Sequence, residues 1–250
     1  MARINCNFIS YILKRAVDLT VIIPTTTMPE VGDENVSHNI IEKYPVLYLL
    51  HGYGNNHATW TSYSNIELFA EERNIAVVML SGENKFYSNI SEEDRYFDFV
   101  SEELPEFVEN MFPVSKKKEN KYIAGLSMGG YGALIHGLSN PERFNAIGAF
   151  SPAIDVSDIS KNAINPKKLV DKIVKDKTKC PKIYMACGTL DFLYSNDIKF
   201  RDYLINNNID VTWDEIKGYK HEWRFWNIEV EKFLDWLPRN DVYSGKIRGV

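Results

Sequence analysis

No stretch of this chain approaches the roughly 18 consecutive apolar residues that a membrane-crossing helix needs. Met1–Ser10 also lacks the sustained apolar core of a secretion signal. The expectation is a cytoplasmic protein with no membrane partner. Cysteine is scarce. Cys6, Cys180 and Cys187 are three, an odd count without a CxxC pair, which argues against a disulfide framework and a structural zinc site. The five histidines, His38, His51, His57, His136 and His221, show no HxxxH or HxxE spacing and no companion carboxylate cluster. No metal and no cofactor are therefore expected. Basic charge is short as well: the net charge is -5 and the isoelectric point about 5.6. A nucleic-acid partner would call for a basic face. The one dense basic run, Lys116–Lys118, reads as a solvated turn.

What remains is ordinary globular material, 44% hydrophobic and 25% charged over 250 residues, with no internal repeat. That length suits a single α/β domain spanning residues 1–250. Short runs rich in β-branched residues alternate with helical spacings. Cys6–Tyr11 and Ala16–Ile23 read as an N-terminal antiparallel pair. Val46–Leu50, Ile75–Leu80, Lys121–Gly125, Asn145–Phe150 and Lys182–Cys187 read as strands buried on both faces, and Asp210–Ile216 as a last strand. Helices are expected over Asn65–Arg73, Phe97–Phe112, Met128–Leu138, Ser195–Asn206 and Glu222–Leu237, with Pro105 forcing a kink or a restart near Glu103. Thr25–Lys43 reads as a long surface connection. This alternation predicts a mostly parallel sheet covered by helices on both faces, with ligands at the carboxyl ends of its strands.

The motifs fall at those ends. Gly125-Leu-Ser127-Met-Gly129 matches G-x-S-x-G between a strand and a helix, the context that a nucleophile turn requires. Side chains two residues either side of Ser127 would collide with the neighbouring strand and helix; glycine removes them. Of the histidines after Ser127, His136 lies mid-helix, whereas His221 lies in the loop before the closing helix and suits a general base. Asp191, in the turn after Cys187, is the favoured acid to orient it, with Asp155 second. Asp197 reads as a helix-dipole partner. The oxyanion donors are expected to be the N–H of Met128 and that of Tyr53, in His51-Gly-Tyr-Gly54; His51 itself reads as a structural hydrogen-bonding residue. Trp60, Phe192, Leu193, Tyr194 and Trp223 flank these loops and are candidates for an acyl or alcohol pocket, and each reads equally well as a core residue.

Four segments together resemble one family: Leu49-Leu-His-Gly-Tyr-Gly-Asn-Asn-His-Ala-Thr-Trp60, Ile123-Ala-Gly-Leu-Ser-Met-Gly-Gly-Tyr-Gly-Ala133, Cys187-Gly-Thr-Leu-Asp191 and His221-Glu-Trp-Arg-Phe-Trp226. They are similar to the tributyrin esterases of the esterase D group, relatives of S-formylglutathione hydrolases and of feruloyl and acetylxylan esterases. The resemblance implies an α/β-hydrolase fold and a serine esterase with Ser127, Asp191 and His221 as triad and Tyr53 and Met128 as oxyanion donors. It implies a small ester substrate. Polysaccharide esters, formylglutathione, acyl transfer on the same triad and an inactive binding module stay open as alternatives, and a homo-oligomer is compatible with the sequence. The segment Ser151–Pro181, where larger lipases insert a cap, is polar and lysine-rich. Its few apolar residues, Ile159 among them, leave little to cover a long acyl chain, so a shallow site with a small lid or none is expected.

Overall fold

The computed structural model describes residues 1–156 and 163–245. Ile159, Lys161 and Asn162 of the lysine-rich segment lie outside the described residues. Among those described, the strands are β1 (Ala2–Ser10), β2 (Arg15–Ile23), β3 (Val46–Leu50), β4 (Ala76–Leu80), β5 (Lys121–Leu126), β6 (Ala146–Phe150), β7 (Lys182–Gly188) and β8 (Val211–Ile216). They form one sheet in the order β1-β2-β4-β3-β5-β6-β7-β8. β1 pairs antiparallel with β2, and β2 antiparallel with β4; all other pairings are parallel. The fold is that of an α/β hydrolase, with N-terminal antiparallel strands on a mostly parallel sheet.

The central strands are apolar throughout because each face meets its own core. In β3, Val46, Tyr48 and Leu50 enter one cluster, while Leu47 and Leu49 enter the other. The short helices α1 (Thr59–Tyr63) and α2 (Ile66–Glu72) join the closing helix α8 (Trp223–Trp236) on the Leu47 side, through Trp60, Phe69, Phe225 and Phe233. On the Val46 side lie α5 (Met128–Ser139), α6 (Pro166–Asp176) and α7 (Tyr194–Asn206), through Tyr131, Val170 and Phe200. They share that side with a rod made of α3 (Tyr96–Asp98), a π-helical turn (Phe99–Glu103) and α4 (Leu104–Met111). Helix α6 lies in the lysine-rich segment. Asn165 caps it by accepting from the Lys167 N–H at 2.9 Å, and Val170 and Ile173 face the core.

The rod restarts beside Glu103, as the position of Pro105 leads one to expect. It widens into the π turn and restarts at Leu104, with Pro105 in the first turn of α4, where a missing N–H costs nothing. The π turn places the buried Glu103 carboxylate beneath the β1–β2 hairpin. There it accepts hydrogen bonds from the Ser10 hydroxyl at 2.6 Å, the Tyr11 N–H at 2.8 Å and the Ile12 N–H at 2.9 Å. One side chain thus satisfies a buried turn that has no strand partner. Removing it strands three donors, each worth about 1–3 kcal/mol when left unpaired. Glu103→Ala is expected to lose roughly 3 kcal/mol or more of unfolding free energy in urea titration. A loss below half a kcal/mol, on the order of a neutral surface substitution, would show that the hairpin is not held by this carboxylate.

Candidate active site

β3, β5, β7 and β8 run parallel, so the loops that leave them open onto one edge of the sheet. The turn after β5 is sharp. Ser127 has φ 53° and ψ -115°, a conformation that L-residues rarely adopt. The turn is possible because β3 and α5 approach each other without side chains between them. A Cβ on Gly129 would lie 2.4 Å from the Leu50 carbonyl oxygen, and one on Gly125 would lie 2.5 Å from the Gly129 backbone. Ser127 is left half-buried at the first turn of α5, whose N-terminal N–H groups, that of Met128 among them, have no intrahelical acceptor.

The loops after β7 and β8 bring Asp191 and His221 to it. The His221 Nδ1–H donates to Asp191 Oδ2 at 2.8 Å. The Ser127 hydroxyl donates to His221 Nε2 at 3.0 Å. A carboxylate can only accept, so Asp191 fixes the imidazole proton on Nδ1 and leaves Nε2 free as acceptor. Burial pushes the Asp191 carboxyl up, but the hydrogen bonds from His221 and from the Leu193 N–H, 2.9 Å from Oδ1, outweigh it and hold it below its ordinary value. The acid and histidine loops are also tied to each other: the Leu190 N–H donates to the Tyr219 carbonyl at 2.9 Å and the Gly218 N–H to the Thr189 hydroxyl at 3.0 Å. The carboxylate on His221 is therefore that of Asp191, not of Asp155, the second candidate from sequence.

Tyr53 lies in the loop after β3, and neutral bonds hold that loop. His51 is buried, and burial lowers its pKa to about 4. Its Nε2 accepts from the Gly82 N–H at 2.8 Å, so Nδ1 carries the proton and donates to the Gly52 carbonyl at 2.7 Å. The Tyr87 hydroxyl donates to the His51 carbonyl at 2.9 Å, and the Tyr87 carbonyl lies 3.0 Å from Nε2 of the buried His136. His51 and His136 are thus packed structural histidines. Among the described residues, no group of histidine, cysteine, aspartate and glutamate is arranged to hold a metal ion, and no helix is long and apolar enough to cross a membrane.

The pocket candidates separate. Phe192 is 75% exposed, with its ring centroid 4.7 Å from that of His221. Leu193 is half-buried and serves Asp191 through its N–H. The Tyr194 hydroxyl donates to Glu215 Oε2 at 2.7 Å. Trp223 is half-buried, stacked on Tyr63 at 5.3 Å and edge-on to Trp60 at 5.1 Å. Trp60 is a correction. It is fully buried, and its indole N–H donates to the Leu50 carbonyl at 3.0 Å, so it offers no surface to a ligand and instead braces the end of β3.

Sequence reasoning missed a polar cluster behind Asp191. The Ser151 hydroxyl, on a residue at φ 44°, accepts from the Trp226 indole N–H at 3.3 Å and lies 3.9 Å from the Cys187 sulfur. Asp197 lies in the first turn of α7, at the helix start expected of it, but it is fully buried, and neither carboxyl oxygen has a hydrogen-bond partner in the structure. Burial raises its pKa to about 9; the Cys187 thiol opposes this and the Asp191 charge adds to it. The sequence carried a weak signal for it, since Asp197 lies three residues before the buried Phe200, on the inward stripe of α7.

The sheet, its flanking helices and the strained serine between β5 and α5 define a serine hydrolase of the α/β-hydrolase type. The chain belongs to the esterase family: the family model described as "Putative esterase" matches residues 36–235. An acetyl esterase of Caldicellulosiruptor saccharolyticus is 35% identical over 267 aligned positions, covering 96% of this chain and 99% of that protein. Among solved structures, the substrate-bound fluorophosphonate-binding serine hydrolase F of Staphylococcus aureus superposes with a TM-score of 0.85 at 28% identity, covering 96% of this chain and 99% of that one. The S-formylglutathione hydrolase of the same organism superposes with a TM-score of 0.82 at 26% identity, covering 94% and 98%. The protein is a serine esterase.

Asp197 gives this fold a pH-dependent term. Its folded pKa of about 9 lies above the unfolded value of 3.8. The contribution is therefore fully present below pH 3.8 and lost as pH rises towards 9. Thermal melts of wild type and Asp197→Asn at pH 5, 7 and 9 are expected to shift in favour of the variant as pH rises. A constant difference in Tm across the three would mean that Asp197 does not carry a proton in the folded protein.

Proposed function

We propose that the protein hydrolyses short-chain acyl esters through an acyl-enzyme on Ser127. The observation that carries this reading is the unbroken chain Asp191–His221–Ser127, with links of 2.8 and 3.0 Å. Ser127 Oγ attacks the ester carbonyl carbon while its proton moves to His221 Nε2. The N–H groups of Met128 and Tyr53 receive the oxygen as it becomes negative. Asp191 stabilises the imidazolium and holds its tautomer. Collapse of the tetrahedral adduct breaks the bond to the alcohol oxygen, which takes the proton from Nε2. Water then attacks the acyl-enzyme by the same route, and the carboxylic acid leaves Ser127 restored.

The short acyl preference rests on the surroundings. Helix α6 spends Val170 and Ile173 on packing against the flank of the sheet beside α5, so this part of the lysine-rich segment supplies no apolar roof. The acetyl esterase similarity agrees with a small acyl group. The Ser127 hydroxyl meets one imidazole, and that imidazole meets one buried carboxylate, the arrangement that acyl transfer through a serine uses.

Ser127→Ala and His221→Ala are expected to fold normally and to lose about 10⁴-fold in kcat or more, and Asp191→Asn to lose heavily through the wrong tautomer. Asp155→Asn is expected to be mild. A Ser127→Ala protein that retained a tenth of the wild-type rate would remove the serine from the reaction. In a series of p-nitrophenyl esters from acetate to palmitate, kcat/KM is expected to be highest at acetate and butyrate, with no jump at the solubility limit. A maximum at octanoate or longer would point instead to a lipase with a mobile cover.

A further inference from the structure

The proposed triad chemistry also fixes where the alcohol half of the substrate must travel, and the role of Phe192 in it rests on that proposal. The carbonyl oxygen must point at the Met128 and Tyr53 N–H groups. The departing alcohol oxygen must come within reach of His221 Nε2, because it leaves with the proton held there. The alcohol therefore exits past the imidazole, while the acyl group lies elsewhere.

Two aromatic rings flank that imidazole. Trp226 meets it edge-on at 4.8 Å but is buried and engaged with the Ser151 hydroxyl. Phe192 meets it at 4.7 Å with a 50° tilt and keeps three-quarters of its surface open to solvent. Of the two, only Phe192 presents a free face beside the leaving oxygen. Its backbone belongs to the turn that Asp191 orders, through the Asp191 bond to the Leu193 N–H and the Leu190 bond to the Tyr219 carbonyl. The ring thus stands on a turn whose backbone is tied on both sides of it, with the imidazole against one side of it.

We infer that Phe192 is a specificity-determining residue for the alcohol portion of the ester, and that the alcohol it favours is cyclic with a flat C–H or π face, a sugar ring or an aryl ring. A phenyl face offers no hydrogen bond, so it rewards contact area: an extended ring can lie on it, whereas a two-carbon alcohol covers little of it. The same ring stands beside the incoming nucleophile in the second step. Water gains nothing from it; an added cyclic alcohol does, and then acyl transfer competes with hydrolysis.

The test uses esters that share one acyl group: ethyl, cyclohexyl and phenyl acetate and a methyl glucopyranoside acetylated at O6. The ratio of kcat/KM between wild type and Phe192→Ala is taken for each, which cancels intrinsic leaving-group reactivity. The ratio is expected to be about five- to tenfold larger for ring alcohols than for ethyl acetate, on the scale of one or two buried methylene groups. A response to the glycoside alone would identify sugars, and one to phenyl acetate alone aryl alcohols, both within the inference. In parallel, the fraction of acetyl-enzyme captured by added cyclohexanol is expected to fall several-fold in Phe192→Ala and to return in part in Phe192→Leu. Equal losses on ethyl and ring esters, or a change in acyl-length preference with the alcohol series unmoved, would overturn the assignment. Ser127→Ala is run alongside. Activity that survives that substitution would sink the triad reading itself, whereas serine-dependent activity indifferent to the alcohol sinks only the role of Phe192.

Discussion

The site depends on how closely the end of β3 approaches the serine turn. The Leu50 carbonyl oxygen occupies the space that a side chain on Gly129 would need, and it also stands 2.8 Å from where a Cβ on Gly125 would lie. The same oxygen accepts the Trp60 indole N–H. One backbone atom is thus packed by the serine turn from one side and fixed from the other. The strained conformation of Ser127 survives because this surrounding backbone over-determines it. The loop bearing Tyr53 begins immediately after Leu50, so the spacing of the serine turn and that loop is set at this point as well.

Much of this was legible in the residues. The parallel strands are short and apolar because both faces are covered, and that pattern alone located β3, β4, β5, β6 and β7 to within a residue or two. The strand–glycine–serine–helix succession located Ser127, and chain order with loop position singled out His221. Asp191 over Asp155 was a preference from sequence and a hydrogen bond in the structure. Trp60 failed for an identifiable reason. Its place in a loop after a strand end says nothing about which way the ring turns, and a carbonyl wanting a donor drew it inward. Asp197 stands at a helix start, as its place in the sequence suggests, but that place says nothing of burial. Burial here leaves the group neutral. The π turn was invisible because a proline announces only its own missing N–H, not the extra residue upstream that places Glu103 under the hairpin.

The buried polar groups divide by function. Glu103 gathers three donors and closes a turn. Asp191 gathers two and stays ionised beside the imidazole. Asp197 gathers none and keeps its proton. The two aspartates thus hold different charge states according to the donors each finds, a direct expression of hydrogen bonding against desolvation.

The frame of the Tyr53 loop contains no ion pair in its chain of contacts: a neutral imidazole, a phenol and backbone groups carry it from Gly82 and Tyr87 to Gly52. Dissolved electrolyte weakens attractions between charges over about 10 Å at 0.1 M but leaves bonds between dipoles nearly untouched. The loop that carries Tyr53 therefore rests on contacts that dissolved salt barely weakens, while exposed ion pairs such as Arg3 with Glu67 are the ones it screens.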